Sequence, residues 1–468
     1  MKATPFLPSD FHDARRSNRA NDLLSTMISS GSAVINRNFR NFAAKTAAYR
    51  MINNDNITCE AIIKAYQRAC QEAASSVVCN HVLCLQDTCE INYEAHSVRM
   101  HKKGRKPGIV SNKEAGCFVH PTLAINAETL LPLGFTSIKV WNRDEDAPTC
   151  RDRNYRKQPI EEKESYRWCD AIDLADSLLK DVPMKTVVSD RESDVYELFT
   201  HLYDETKWLI RSNRNRCISA NTEKLHEKMR SMDSLGTYLL EISASHGRKA
   251  RTAQMEVRFA AVDIDRPLNR SREEVASVRA NCIRVSEVPG TTPKGTTPVE
   301  WILLTNHEVA TVEDALRCVN WYKCRWYIEE LFRLLKRKGF RIEDIELEDT
   351  ECIEKDILLA MYAALRTIEI KHAFNNPKHF TKVPATHCFT ASEVSAMHVI
   401  LPTMEGRTAK QRCPYPKGSL PWMAWGLAKL GGWDCYSYKP GYTTFKAGLD
   451  QFGPMCSMYM AMKDVYNG

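Results

Sequence analysis

The sequence YKCRWYIEELFRLLK, residues 322–336, is the part of the chain that says most about its fold and chemistry. Four of its charged or aromatic residues are spaced by 3, 4 and 7 positions: Tyr322, Arg325, Glu329 and Lys336. On a helix of roughly 3.6 residues per turn, their side chains fall within an arc of about 60°. A neighbouring arc holds the apolar side chains of an amphipathic helix, namely Trp321, Ile328, Phe332 and Leu335. The pattern therefore predicts one helix whose edge presents a carboxylate beside an aromatic ring and two cations.

Such a helix edge fits a metal-dependent phosphodiester site. A carboxylate oxygen is a good ligand for a hard cation, and guanidinium or ammonium groups beside it bind phosphate. The alternative is a solvated helix face with i,i+4 ion pairs, which is the commoner origin of such charges. The catalytic interpretation therefore requires further acidic residues elsewhere in the chain.

Two aspartates meet this requirement. Asp87 follows the short apolar run of residues 82–85, and Asp190 follows residues 186–189, which have the pattern of a buried strand. An acid just past an apolar strand lies at the edge of a sheet, where α/β proteins place functional groups. Either aspartate alone is better explained as a turn residue or a helix N-cap. The order of two acids after strands and a third on a late helix favours a shared site.

With these residues the chain resembles the DDE transposases that have a ribonuclease-H-like catalytic domain, and more narrowly the insertion-sequence-four family. The residues that match the family signature are Tyr322, Arg325, Glu329 and Lys336, together with the aspartates Asp87 and Asp190. The resemblance runs in the same order through nearly the whole chain. It includes AAYRMINN (47–54), KESYRW (163–168), WLIRS (208–212), EWILLT (300–305) and SLPWMAWGLAKLGGW (419–433).

The resemblance implies an α/β fold: a ribonuclease-H-like catalytic domain, with a mixed sheet flanked by helices and a β-strand insertion, plus helical N-terminal and C-terminal domains. We expect a DNA-end-binding domain over residues 1–75, the catalytic domain over 76–385 with its insertion at about 215–308, and a dimerisation domain over 386–468. Local patterns predict strands at 82–85, 118–125, 135–140, 186–189 and 208–211, and helices at about 162–179 and 194–204. Near the C-terminus, tryptophans followed by AKLGGW predict packed helices that end at a glycine.

The resemblance also implies the chemistry. Asp87, Asp190 and Glu329 would be the catalytic residues and would hold two Mg²⁺ ions, for which Mn²⁺ should substitute. Water would nick a transposon end, and the freed 3′-hydroxyl would attack the opposite strand to form a hairpin. The hairpin would then be opened and the ends joined to target DNA.

Other residues would bind the DNA in this scheme. The resemblance assigns phosphate contacts to Tyr322, Arg325, Lys336 and Arg211. It assigns the pocket for a flipped base to Trp301 and Trp326, since an aromatic ring can stack on an unpaired base. Without the resemblance, Trp301 is more simply a packed residue of a strand.

A basic segment near the N-terminus suggests contact with the DNA end. Between residues 15 and 50 there are seven basic residues and one acid; the basic ones are Arg15, Arg16, Arg19, Arg37, Arg40, Lys45 and Arg50. Cations of this kind bind phosphates and make affinity depend on salt. The same interpretation extends to Lys102, Lys103, Arg105 and Lys106, and to Arg211, Arg214 and Arg216. The alternative is a set of solvated surfaces, which we prefer for the loop RDRNYRK (151–157).

The composition is compatible with a DNA-binding enzyme. The formal charge is +7, hydrophobic residues make up 43% of the chain, and charged residues interrupt every apolar stretch. We find no secretory signal, no membrane-spanning segment and no short-spaced cysteine pair of the zinc-binding type. We therefore expect a bacterial cytoplasmic, nucleoid-associated protein with reduced thiols and no membrane partner. Its partners would be double-stranded DNA, both terminal inverted repeats and target, and a second copy of the chain assembled on that DNA.

Two other classes remain open. One is a ribonuclease-H-like nuclease that cuts without strand transfer. The other is a catalytically inactive regulator that occupies transposon ends without cutting, although the complete set of Asp87, Asp190 and Glu329 argues against it.

Overall fold

The structure is a computed structural model that describes residues 5–39, 41–76, 79–101, 108–145, 158–201, 206–220, 222–242, 250–270, 273–336, 339–436 and 439–467. The chain divides into two compact units. The first unit comprises Met1–Cys79, Thr88–Ala147 and Tyr327–Gly468, and the second comprises Asn80–Asp87 and Pro148–Trp326.

The α-helices, in chain order, are α1 Ala14–Ser30, α2 Ile35–Asn38, α3 Phe42–Ile52, α4 Cys59–Ser76, α5 Ser97–His101, α6 Arg167–Leu178, α7 Tyr196–Thr200, α8 Leu225–Ser231, α9 Val312–Lys323, α10 Trp326–Leu335, α11 Thr350–Asn375, α12 Pro377–Phe380, α13 Ala391–Met404, α14 Leu420–Leu430 and α15 Tyr442–Asn467. Across the described ranges, none of the helices is long and apolar enough to cross a membrane.

The strands are β1 His81–Gln86, β2 Cys89–Asn92, β3 Gly116–Asn126, β4 Pro132–Trp141, β5 Met184–Ser189, β6 Thr206–Arg211, β7 Cys217–Ile218, β8 Glu223–Lys224, β9 Gly236–Ile242, β10 Arg251–Asp265, β11 Ser277–Glu287 and β12 Glu300–Thr305.

The first unit is mainly helical. Its strands β2, β3 and β4 pair antiparallel, and α4 packs on β4. Helix α11 is buried along most of its length and contacts α1, α4, α14 and α15. A helix buried on all sides needs apolar residues around its whole circumference, which the run ILLAMYAAL (357–365) supplies. Helix α14 ends where the AKLGGW pattern predicts, because the N–H of Gly431 donates to the carbonyl of Leu427 at 2.9 Å.

The second unit is built on a mixed sheet. Strands β1, β5 and β6 run parallel, and the sheet continues antiparallel from β6 through β12, β11 and β10. Strand β10 also pairs with β7 and β9. Helix α6 contacts β1, and α9 contacts β5 and β6. The predicted mixed sheet with helices against it is therefore present, and β7–β12 lie in the interval where the sequence predicted additional strands.

The predicted strands agree with those observed. Residues 82–85 lie in β1, 118–125 in β3, 135–140 in β4, 186–189 in β5 and 208–211 in β6. Sequence reasoning missed β2, whose four residues CEIN are too few for a periodic pattern.

The prediction of a single helix over residues 322–336 is wrong. Helix α9 ends at Lys323, α10 begins at Trp326, and Lys336 follows the end of α10. The N–H groups of Cys324 and Arg325 donate to carbonyls three residues back, both at 3.0 Å. These tighter 3-10 bonds redirect the chain between the two helices. Tyr322 and Arg325 therefore precede the helix that carries Glu329 rather than sharing one face with it.

Two other helices are shorter than predicted. The segment 162–179 begins as two 3-10 turns, Ile160–Glu162 and Glu164–Tyr166, separated by Lys163 in an extended conformation, and α6 starts only at Arg167. Of the helix expected over 194–204, α7 covers Tyr196–Thr200 and follows a 3-10 turn at Arg191–Ser193, while residues 202–205 lie outside the described residues.

Candidate active site

Three neighbouring parallel strands end on the residues that the sequence singled out. The register places Gln86 opposite Ser189, and Ser189 opposite Ile210. The next residue along each strand is Asp87 after β1, Asp190 after β5 and Arg211 at the end of β6. Since neighbouring strands lie about 4.8 Å apart, these residues lie side by side at the carboxyl edge of the sheet. This is the edge at which open α/β sheets bind their ligands.

Asp190 also has a structural role. Its extended backbone makes it the N-cap of the 3-10 turn Arg191–Ser193, and its Oδ1 accepts a hydrogen bond from the N–H of Arg191 at 2.6 Å. The side chain retains 26% of its exposure. Asp190 can therefore be both an N-cap and a residue of the candidate site. The cap hydrogen bond fixes the carboxylate at the end of β5 and leaves it partly exposed.

Asp87 forms an ion pair with Arg325. Nη1 of Arg325 donates to Oδ2 of Asp87 at 2.9 Å, and the two side chains are 12% and 19% exposed. Arg325 lies in the turn between α9 and α10. The turn that breaks the predicted helix is thus also what carries the guanidinium to the sheet edge.

Tyr322 lies beside this ion pair. It is 4% exposed, and Cζ of Arg325 is 5.9 Å from the centre of its ring. Burial raises the pKa of the Tyr322 hydroxyl, the charges of Arg325 and Arg211 lower it, and the charge of Asp190 raises it. Because these charges all act on one hydroxyl, Tyr322, Arg325, Asp190 and Arg211 form a single electrostatic cluster within the second unit.

The two tryptophans differ in their surroundings. Trp301, on β12, meets the ring of Tyr322 edge-on, with ring centres 5.6 Å apart and an interplanar angle of 61°. Trp326 is the first residue of α10 and is 55% exposed. Nη2 of Arg211 donates to the carbonyl of Glu300 at 3.2 Å, which connects the end of β6 to the start of β12.

Glu329 and Lys336 belong to the first unit. Glu329 is in the first turn of α10, one helical turn after Arg325, where a carboxylate is favoured by the helix dipole. Nζ of Lys336 is 3.9 Å from a carboxylate oxygen of Glu343, and its side chain is 38% exposed.

Arg216 does not belong to a DNA-binding surface. Its side chain is 4% exposed, and Nη2 and Nε donate to Oδ1 of Asp194 at 2.5 and 2.8 Å. Oδ2 of the same carboxylate accepts the N–H groups of Asn213 and Arg214. The DNA-contact prediction for Arg216 is therefore wrong, because the guanidinium is buried and bonds to Asp194 in the segment after Asp190. Arg214 itself is exposed.

Asp194 is a buried structural residue that the sequence pattern did not single out. The signal was the second aspartate of DRESD, four residues after Asp190. Its arginine partner is 22 residues away and could not be paired with it from spacing alone.

The predicted DNA-end contacts are mostly on the surface of the first unit. On α1, Arg15 and Arg19 are exposed beside Asp13 and Asp22, while Arg16 donates to the carbonyl of Phe11. Arg37 and Arg50 are exposed, and Nζ of Lys45 donates to Oδ1 of Asn36 at 3.1 Å. The remaining predicted cations lie outside the described residues: Arg40, Lys102, Lys103, Arg105 and Lys106. The loop RDRNYRK also lies outside them.

Comparison with known families agrees with this geometry. A model described as a transposase DNA-binding domain matches residues 3–57, and one described as a transposase DDE domain matches residues 170–365. The second match includes Asp190 and Glu329, and Asp87 precedes it. The chain therefore carries a transposase DNA-binding domain and a DDE transposase domain. These support a DNA-cleaving transposase that depends on divalent metal ions and has DNA as its partner, and the mixed α/β architecture is consistent with a ribonuclease-H-like DDE domain.

Proposed function

We propose that this chain is a cut-and-paste transposase of the insertion-sequence-four family, resembling the transposase of bacterial transposon Tn-five. It would bind the terminal inverted repeats of its element, cleave them by phosphoryl transfer through a hairpin intermediate, and join the 3′ ends to target DNA. The observation that carries this proposal is the alignment of Asp87, Asp190 and Arg211 at the ends of three adjacent parallel strands, with Arg325 paired to Asp87.

Asp87, Asp190 and Glu329 are the proposed metal ligands. The two aspartates suit a hard divalent cation because both are partly exposed carboxylates at adjacent strand ends. We assign two Mg²⁺ ions per site, with Mn²⁺ as a substitute. When bound, such a pair generates a nucleophile at neutral pH and stabilises the leaving oxygen of an in-line displacement.

The basic residues of the site would hold the DNA backbone. The guanidinium of Arg325 has five N–H donors in a planar fork, so it can contact Asp87 and a phosphate oxygen together. Arg211 at the end of β6, and Tyr322 beside Arg325, would contact the same strand. We assign Lys336 to the same function on the family pattern alone.

Hairpin formation requires a distorted duplex, and Trp301 and Trp326 would stabilise it. Extruding a base costs a few kcal/mol of lost stacking. A base stacked on an aromatic ring recovers roughly 1–3 kcal/mol. Trp326 offers an exposed ring, and Trp301 is held in place by its edge contact with Tyr322.

The remaining domains would bind the DNA end and a second copy of the chain. We assign residues 1–75 to end binding, 76–385 to catalysis with a β insertion at about 215–308, and 386–468 to dimerisation on DNA. Support for dimerisation comes from α15, where Met455, Met458 and Met462 are all about half exposed or more. Their spacing of 3 and 4 residues places them on one face of the helix. We expect the protein to act in the bacterial cytoplasm, at the nucleoid.

The test is cleavage of linear DNA that carries the element's own end, with Mg²⁺ or Mn²⁺, resolved on a denaturing gel. We expect metal-dependent nicks and hairpins from the unmodified chain and neither from Glu329→Ala. Glu330→Ala, which removes the neighbouring carboxylate, is the matched control and should cleave. Nicks without hairpins or joined products would instead identify a nuclease. End binding without any product would identify a regulator.

A further inference from the structure

Three side chains of the type that bind zinc converge in the first unit, and the proposed function assigns none of them a role. Glu369 lies on α11, His387 ends the 3-10 turn Ala385–His387, and Cys388 follows it. A carboxylate oxygen, an imidazole nitrogen and the sulfur all lie within 4.8 Å of one another. Nε2 of His387 is 3.2 Å from Oε1 of Glu369.

We propose that Glu369, His387 and Cys388 bind a zinc ion. Zinc binds sulfur, nitrogen and oxygen at about 2.0–2.3 Å, so its tetrahedral ligands lie roughly 3.3–3.8 Å apart. The observed separations need only small side-chain movements to reach these values. A thiolate ligand selects zinc over Mg²⁺, which requires oxygen ligands. The ion at this site is therefore chemically distinct from those of the proposed catalytic site.

Two of the three proposed ligands are buried, and the third is partly exposed. Glu369 and Cys388 are 0% and 1% exposed. A divalent ion bound here would compensate the carboxylate and the sulfur together, and the Cys388 thiol would lose its proton as the metal binds. The side chain of His387 is 27% exposed. This opening gives the ion a path from solvent and leaves room for water as the fourth ligand, a combination usual at zinc sites with three protein ligands.

The zinc ion would join two segments of the C-terminal helical core. Glu369 is in the middle of the buried stretch of α11, and Cys388 packs with Phe389 and Trp422 in the core that includes α13 and α14. Binding would attach the turn before α13 to α11. The inference does not depend on the proposed transposase function.

Spacing alone could not have shown this site. Glu369 precedes His387 by 18 residues, and His387 and Cys388 are adjacent, so the set contains no short-spaced ligand pair.

The test is the metal content of the full-length chain, purified with zinc supplied and without chelators, by mass spectrometry of the elements. We expect about one zinc per chain, falling about tenfold or more in Cys388→Ser and in His387→Ala. Cys413→Ser is the matched control, since it removes a partly exposed thiol in the same unit and should keep the zinc. Glu329→Ala should also keep it, which separates this ion from the catalytic carboxylates.

A second measurement uses the unmodified chain and therefore still tests the proposal if the variants fail to fold. The unmodified chain, stripped with a chelator and reloaded with Co²⁺, should show a thiolate-to-cobalt charge-transfer band, and zinc added back should raise its unfolding midpoint. Zinc well below one equivalent in the unmodified chain, or equal zinc in a folded Cys388→Ser variant, would overturn the proposal. Absence of the cobalt band would also overturn it.

Discussion

Two arginine–aspartate pairs in the second unit have the same chemistry and opposite surroundings. The side chains of Arg216 and Asp194 are 4% and 0% exposed, and the carboxylate also accepts two backbone N–H groups. The side chains of Arg325 and Asp87 are 12% and 19% exposed, and Asp87 lies at a strand end beside Asp190. The Arg216–Asp194 pair holds the backbone of residues 213–214 in place. The second leaves its carboxylate within reach of solvent, and hence of a cation.

The Arg216–Asp194 pair positions a segment of the chain, whereas the Arg325–Asp87 pair is available to a metal ion or a phosphate. A buried pair that loses one partner leaves an uncompensated charge, so its removal acts on folding. A partly exposed pair at a sheet edge can exchange its guanidinium for a metal ion or a phosphate, so its removal acts on chemistry. Since Asp194 is four residues after Asp190, the buried pair would also fix the segment that positions the second proposed ligand.

The largest expected effect is on cleavage by Asp87→Asn. Changes in groups that only support a metal ligand already cost about 10–100-fold, so loss of a proposed ligand should slow nicking by at least about 100-fold. The midpoint of thermal unfolding should move little, because Asp87 is partly exposed. The nicking rate and the midpoint of thermal unfolding, measured on the same preparation, check the two predictions. Full activity in a folded Asp87→Asn variant would remove Asp87 from the site.

Asp194→Ala should produce the reverse pattern. It should lower the free energy of unfolding by about 3–5 kcal/mol, because Arg216 would remain buried without its partner. Denaturant titration measures this change. Asp263→Ala is the control, since its pair with Arg279 is 49% and 66% exposed and should contribute at most about 1 kcal/mol. If Asp194→Ala and Asp263→Ala lowered the free energy of unfolding equally, burial would not explain the role of the Arg216–Asp194 pair.

Trp301→Ala should slow hairpin formation on a pre-nicked DNA end. Loss of roughly 1–3 kcal/mol of stacking corresponds to about a 5- to 150-fold slower step. Nicking of intact ends should be much less affected, and Trp301→Phe should retain most of the activity. Equal slowing of nicking and hairpin formation would instead indicate that Trp301 acts through packing against Tyr322.

The smallest expected effect concerns the N-terminal cations. Removing one cation that binds a DNA phosphate should reduce the slope of log affinity against log salt by about 0.9. Arg50→Ala, on an exposed residue of α3, should therefore weaken end binding modestly and flatten the salt dependence. Arg279→Ala, outside the matched DNA-binding region, is the control. A slope unchanged by Arg50→Ala would exclude that residue from the DNA contact.

Sequence reasoning succeeded where the signal was local. An apolar run followed by an aspartate was enough to place Asp87 and Asp190 at strand ends, because buried parallel strands consist of continuous apolar residues. It failed at the break between α9 and α10, since the apolar spacing continues in phase through the 3-10 turn. It also failed for Arg216, whose burial depends on a partner 22 residues away. The candidate zinc site is invisible for the same reason, because its residues meet only in the folded chain.

The most direct test of the central claim is to map where a divalent ion binds. Fe²⁺ bound at the site, with ascorbate and peroxide, cuts the polypeptide near its ligands. We predict cuts near residues 87, 190 and 329 that Mg²⁺ suppresses, that Glu330→Ala retains and that Glu329→Ala loses or weakens strongly. Cuts near residues 369 and 387 would report the zinc site and are separable by size. Cuts near 87 and 190 that are unchanged in Glu329→Ala, with none near 329, would contradict a shared three-carboxylate site.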